Sequence, residues 1–151
     1  KAFNDRYGYA RGNEVLLATA DLLRMALREQ GRSEDFIGHI GGDDFILITT
    51  PGSYERICDA VLSAFDQKIA DFYDPEDRKR EGIQGTTRRG EEVSFPLMTL
   101  SIAVVTNQHR KLKNHIQVGE IAAEMKNFAK SFAKSIYVVD KRRDPPTGGT
   151  A

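Results

Sequence analysis

"HIGGDDFILITT", residues 39–50, places two glycines and two aspartates directly before an unbroken apolar run. A bare chain reversal needs only one glycine and one polar residue, so the paired carboxylates ask for a further purpose. The stretch predicts a hairpin, because "DFIGHI" (35–40) and "DFILIT" (44–49) are short apolar segments around Gly41-Gly42-Asp43. Glycines permit positive φ and leave backbone N–H groups open to phosphate oxygens. Adjacent aspartates supply the hard oxygen ligands of Mg²⁺, which binds through one or two carboxylates plus substrate phosphates. The expectation is a hairpin whose tip holds a metal and a phosphate chain. An isolated G-G-D-D is more often a plain acidic turn, so the rest of the chain must carry the choice.

Upstream, Leu16, Ala20, Leu23 and Leu27 share one helical face from about Glu14 to Gln30, with Gly31 as a stop. Downstream, Pro51-Gly52-Ser53 ends the strand, and Ser53 is placed to cap a helix running to about Phe72. Ile57, Val61, Phe65 and Ile69 form its apolar stripe, and Cys58 beside them reads as a buried, inert thiol. Residues 74–92, "DPEDRKREGIQGTTRRGEE", predict a solvated mobile loop entering a hairpin turned at Arg88-Arg89-Gly90; a basic contact patch is the other reading. "FPLMTLSIAVVT" (95–106) is expected as a central strand buried on both faces. Val118, Ile121, Ala122, Met125, Phe128, Ala129 and Phe132 trace a last helix, and "SIYVVD" (135–140) a last strand. This order predicts an α/β (α+β) sandwich, a mixed central sheet flanked by helices. One domain is expected over residues 1–141, with a polar Pro/Gly tail, 142–151, that frays.

The 151 residues suffice for one buried core. Lys+Arg and Asp+Glu balance at 22 each, which excludes a broad basic field for nucleic acid or anionic lipid. Any anion site must therefore be local. The single cysteine excludes an internal disulfide and fits a reducing, cytoplasmic setting. No apolar run reaches the length of a membrane span, so no membrane contact is expected. The opening Lys1-Ala-Phe-Asn-Asp lacks an initiator Met and reads as part of a larger protein. Phosphate-loop, C-x-x-C and nucleophile-elbow motifs are absent, and His39, His109 and His115 lack metal-ligand spacing.

Two further groups bear on an anionic ligand. Lys126, Lys130 and Lys134 recur at i, i+4 and i+8, one helical face. Such a row is usually there for solubility, but a triphosphate with about four negative charges needs local cations in a neutral chain. "KAFNDRYGYARGNE" (1–14) sets Asn4, Asp5 and Asn13 near glycines; amides and carboxylates can read a purine edge, though alone they are ordinary turn formers.

Together these segments resemble the GGDEF family of bacterial nucleotide cyclases, the diguanylate cyclases. "KAFNDRYGYARGNEVL" is similar to the family's F-K-x-x-N-D-x-x-G-H-x-x-G-D-x-x-L, "GHIGGDDF" to R-x-G-G-[DE]-E-F, and "AAEMKNFAKSFAKS" to A-D-x-A-L-Y-x-A-K-x-x-G-R-N. The resemblance implies a nucleotide-cyclase fold related to palm-type polymerase cores. It implies a homodimer in which each domain holds one GTP and the two are joined into cyclic di-GMP with Mg²⁺. Asp43 would bind the metal, and Asp44 would assist at the attacking 3′-hydroxyl or its metal. Gly41 and Gly42 would touch phosphates, Lys130 and Lys134 would hold the outer phosphates, and Lys1, Asn4 and Asn13 would complete the substrate site, the two amides facing guanine. Arg32 and Asp35 of "RSED" would form a product-inhibition site for cyclic di-GMP. An N-terminal sensory or receiver domain is implied, as is a metal-binding strand before Lys1 that lies outside this sequence.

The chain also departs from the family pattern. Asn13 replaces a guanine-reading Asp, His39 an Arg, Asp44 a Glu, Lys134 an Arg and Ala123 an Asp. Two functions fit. The aspartate pair, Asn4 and Lys130 favour a cyclase, with relaxed base choice extending to ATP. His39, Asn13 and Lys134 favour a non-catalytic receptor of GTP or cyclic di-GMP that signals by dimerising. A polymerase fragment is disfavoured by zero net charge and the lack of a basic groove.

Overall fold

The computed structural model describes residues 1–86 and 90–144. Helix α1 spans Ala2–Gln30 and starts well before its apolar stripe, with a kink where Gly8 takes φ 84° and ψ 161°. Past the kink it buries Val15, Thr19, Ala20, Leu23, Ala26 and Leu27. Gly31 ends it by donating its N–H to the Leu27 carbonyl at 2.9 Å. Its φ of −95° is ordinary; glycine is needed because a Cβ there would stand 2.5 Å from that carbonyl oxygen.

Strands β1 (Phe36–Gly41) and β2 (Asp44–Ile48) form the expected antiparallel hairpin, pairing from Phe36 with Ile48 down to Gly41 with Asp44, with a register shift between His39 and Gly41. One face of it, Ile37, Phe45 and Leu47, packs on Leu23, Ala26 and Leu27 of α1 and on Ile57 and Val61 of α2 (Tyr54–Ile69). Cross-strand neighbours lie on one face of a sheet, so Phe36 and Ile48 together face solvent. The α2 stripe of Ile57, Val61, Phe65 and Ile69 is buried as expected. Cys58 is buried too, and burial pushes its thiol up to about 12, which keeps it inert. Ser53 precedes α2 but makes no side-chain cap; only its carbonyl serves, accepting the Ile57 N–H at 3.1 Å.

A 3₁₀ turn (Ala70–Phe72) leads into α3 (Pro75–Lys79), then β3 (Gly82–Thr86) and β4 (Glu92–Pro96) pair antiparallel. The mobile loop expected over 74–92 is thus corrected in its first part. Residues 75–79 are helical, and Asp77 is only 2% exposed because two side chains of α1 bond to it. The hairpin itself is present; Arg88 and Arg89 of its expected turn lie outside the described residues.

Strand β5 covers only Ser101–Val104, half-buried, and runs parallel to β6 (Ile136–Val139). The long central strand expected over 95–106 is cut short because Phe95 and Pro96 pair with Ile83 and Gly82, while Leu97, Met98 and Leu100 pack on the Phe3–Tyr73 core. Helix α4 (His115–Ala129) lies on β5 and β6, started by Asn114, whose Oδ1 accepts the Gln117 N–H at 3.0 Å. Only Ile121 and Ala129 of its expected stripe are buried; Phe128 is 55% exposed. A two-stranded sheet is too narrow to cover the whole stripe.

Helices and strands of both directions give the α/β class expected. Among the described residues, however, the strands pair two by two rather than in one sheet. The β1–β2 and β5–β6 pairs still share a core, since Ile102 packs on the same Leu23–Val61 cluster as Phe45 and Leu47. Past β6, Asp140 is 2% exposed and accepts the Arg142 Nε at 2.6 Å, while Arg142 reaches Glu124 at 2.8 Å. Burial pushes the Asp140 carboxyl up, but the Arg142 bonds and the Arg142 and Arg110 charges outweigh it and hold it low. Arg142 and Asp144, assigned to the tail from sequence, are therefore held: Asp144 accepts the Lys111 N–H at 2.8 Å.

Candidate functional site

The hairpin turns through Gly42, at φ 57°, after Gly41 at φ 150°. Both values lie where a side chain is strained. A Cβ on either would find nothing within 4 Å, so the space above the tip is open to a ligand. His39 braces the turn: its Nε2–H donates to the Gly42 carbonyl at 2.9 Å, and its ring stacks on Phe45 at 4.7 Å. Asp43 stands exposed at the apex.

Asp44 is in a different position. As the first residue of β2 it points both carboxylate oxygens at the Lys126 Nζ, 2.9 and 3.0 Å away. The Lys126 bond holds its carboxyl below the usual range, against partial burial, and the charges of Lys126 and Lys130 add to this. Lys130 is thus near enough for its charge to be felt. Lys130, the C-cap of α4, keeps helical φ/ψ and donates its N–H to the Lys126 carbonyl at 2.9 Å, so those two lysines keep the expected spacing; the row is corrected only at Lys134, which lies beyond the helix. Just past the helix end the Ser131 hydroxyl donates to the Phe128 carbonyl at 2.7 Å.

Among the described residues no three His, Cys, Asp or Glu gather around one point. Mg²⁺ requires only one or two carboxylates when phosphates and waters fill its octahedron. The exposed Asp43 meets that need. Asp44 meets it only when Lys126 lets go.

Asn4 and Asn13 sit on opposite sides of the Gly8 kink. The Asn4 side chain lies over Gly12, where a Cβ would come within 2.1 Å of its Oδ1, so Gly12 makes room for it. Asn13 and Lys1 are exposed. The short arm carrying Lys1 and Asn4 is anchored by α3. Asp77 accepts from the Tyr7 hydroxyl and from the Arg6 Nε at 3.3 Å, and the Tyr7 oxygen accepts the Asp74 N–H at 3.1 Å. Arg11 reaches Asp74 at 3.5 Å and covers the Tyr7 ring at 5.0 Å. Sequence reasoning missed Arg6, Tyr7 and Asp77. The usable signal was Asp74-Pro75, since Pro at the first helical position marks a helix start.

At the opposite end of the hairpin, Arg32, Glu34, Asp35, Ile48, Thr49 and Thr50 line an open cavity of about 230 Å³. Asp35 closes the helix-to-strand turn, its Oδ2 accepting the Arg32 N–H at 2.9 Å and the Thr49 hydroxyl at 2.7 Å. The Arg32 guanidinium is exposed and 3.5 Å from Glu34.

Comparison with known proteins bears on the family. The family model described as "Diguanylate cyclase, GGDEF domain" matches residues 1–117. Diguanylate cyclase TpbB, from two strains of Pseudomonas aeruginosa, is 33% identical over 73 residues, 46% of this chain. The matched stretch spans 16% of those relatives' length. No helix among the described residues is long and apolar enough to cross a membrane. The match over residues 1–117, which includes the Gly41–Asp44 tip and the kinked Asn4–Asn13 segment, is that of family membership: this chain belongs to the GGDEF family.

Proposed function

We propose that this chain is the cyclase module of a cytoplasmic signalling protein, and that two copies, each holding one GTP, condense them into cyclic di-GMP. The observation that carries this reading is the open glycine tip, with Asp43 exposed at its apex and Lys130 close by. In the reaction a 3′-hydroxyl oxygen of one GTP attacks the α-phosphorus of the other. The bond to the bridging oxygen breaks, pyrophosphate leaves and the hydroxyl proton is lost; the same step in the other direction closes the ring. Backbone N–H groups of Gly41 and Gly42 contact phosphate oxygens, Lys130 and Lys134 neutralise the outer phosphates, and Asn4 and Asn13 orient guanine. Asp43 would hold Mg²⁺, which when bound draws phosphate charge and orients the chain for in-line displacement. The protein's share is thus positioning and charge neutralisation. An N-terminal sensory or receiver domain sets the approach of the two copies.

Incubating the purified protein with Mg²⁺ and GTP, ATP or both, and identifying products by mass, tests this directly. Cyclic di-GMP is the expected product. Tight GTP binding with no cyclic product would favour the second reading, a nucleotide receptor, which the engagement of Asp44 by Lys126 supports.

Asn13 sets an expectation about the base. An amide offers one acceptor where a carboxylate can accept from both the ring N–H and the exocyclic amine of guanine. Asn13→Asp is therefore expected to sharpen GTP-over-ATP selectivity by about 1–3 kcal/mol, roughly 5- to 150-fold. Equal selectivity in competition assays would remove Asn13 from base reading.

The Arg32–Asp35 cavity is proposed to bind cyclic di-GMP and restrain two copies by bridging them. Arg32 can fork onto a phosphate or guanine edge. Arg32→Ala should abolish binding by calorimetry while the melting temperature stays within about 2 °C, since the side chain is exposed. Equal affinity in the two proteins would refute the site.

A further inference from the structure

We propose that Lys126 is a resident cation of the candidate site: its ammonium fills the cation position on Asp44, so that a divalent ion and Lys126 compete for that carboxylate. The proposal deepens the reading of the tip as a metal and phosphate site and rests on it. Both Asp44 oxygens lie within hydrogen-bond distance of one nitrogen, at 2.9 and 3.0 Å. A Mg²⁺ or Mn²⁺ ion bound to those oxygens would stand at about 2.1 Å, between them and the ammonium, and two cations cannot share that space. The tip thus offers an incoming ion Asp43 alone until Lys126 withdraws.

Two features make withdrawal feasible. The pair is part-exposed, with Lys126 and Asp44 side chains 35% and 43% accessible, and ion pairs of that kind are weak. An arriving polyphosphate offers Lys126 an alternative anionic partner, and Lys130, one helical turn on, adds a second cation there. A triphosphate that draws Lys126 away leaves Asp44 to the metal. Nucleotide and metal are then expected to bind with positive coupling through this one lysine. The helix pattern that residues 122–135 resemble has Leu where Lys126 stands, so the device belongs to this chain's own sequence.

The test is a Mn²⁺ titration followed by electron paramagnetic resonance, on the nucleotide-free protein, comparing wild type, Lys126→Leu, Lys126→Gln and the double variant Lys126→Leu/Asp44→Asn. Lys126→Leu should bind Mn²⁺ about fivefold or more tightly, since the ion no longer breaks a pair or meets a like charge. Lys126→Gln, which keeps a polar side chain, should show the same gain and guards against a folding effect of Leu. The double variant should lose it. Unchanged Mn²⁺ affinity in both single variants, or a gain that persists in the double variant, would overturn the proposal. Because no nucleotide is present, its failure is separable from that of the cyclase reading. Absent GTP turnover with the Mn²⁺ gain intact rejects cyclisation alone, and turnover without the gain rejects the role of Lys126 alone.

Discussion

Asp43→Asn is expected to reduce Mg²⁺-dependent formation of cyclic di-GMP by at least about a hundredfold, leaving the fold unchanged. Asparagine keeps the size and shape of the side chain but removes the negative charge that a hard cation requires. Asp43 is the carboxylate at the tip that is open to solvent, whereas Asp44 is already held by Lys126. Asp44 makes up the loss only as far as nucleotide draws Lys126 away, and the ion then has one carboxylate in place of two. The turn itself depends on Gly41, Gly42 and the His39 bond to the Gly42 carbonyl, none of which the substitution touches. The melting temperature should stay within about 2 °C of wild type. Wild-type turnover in a variant of unchanged stability would remove Asp43 from the metal role.

The hairpin was legible because its signals are local: glycines between short apolar runs, with alternate residues facing the α1–α2 core. The Ile57–Ile69 stripe was legible for the same reason, as one periodicity within one element. What escaped was set by partners far away in the chain. Residues 2–13 hold two glycines and two turn-forming amides, yet they are helical on both sides of the Gly8 kink, because tertiary anchoring of Tyr7 and Arg6 on Asp77 overrides weak local propensity. The run 95–106 looks continuous, and nothing local shows that Phe95 belongs opposite Ile83 rather than beside β6. The lysine spacing suggested one face of three, but the helix ends before Lys134, and Lys126 finds Asp44 across 82 positions. Periodicity finds elements; it does not find which charged ends will meet.

The anchor that shaped the start of α1 also supplies the largest expected loss of stability. Asp77 is 2% exposed, and its carboxylate takes the Tyr7 hydroxyl and the Arg6 guanidinium. Asp77→Ala removes the acceptor and leaves the Tyr7 hydroxyl half-buried without it, while nothing refills the space under α3. Removing a buried acceptor that two donors share is among the costly changes, and a fall of roughly 5–10 °C in melting temperature is expected. Arg6→Ala should cost less, because Arg6 is 50% exposed and the Tyr7 bond remains. The Tyr7 bond, helped by Arg6 and opposed by burial, holds the Asp77 carboxyl below its ordinary 3.8. For a carboxyl so depressed, the stabilisation is complete above about pH 4–5 and fades as the pH falls through the lower folded value. The wild type should therefore lose more melting temperature between pH 5 and pH 3 than Asp77→Ala does. Loss of the anchor should also weaken GTP binding, since the arm it fixes carries Asn4. Parallel melting curves across that pH range, or a melting temperature for Asp77→Ala equal to wild type, would show that the α1–α3 junction holds without this carboxylate.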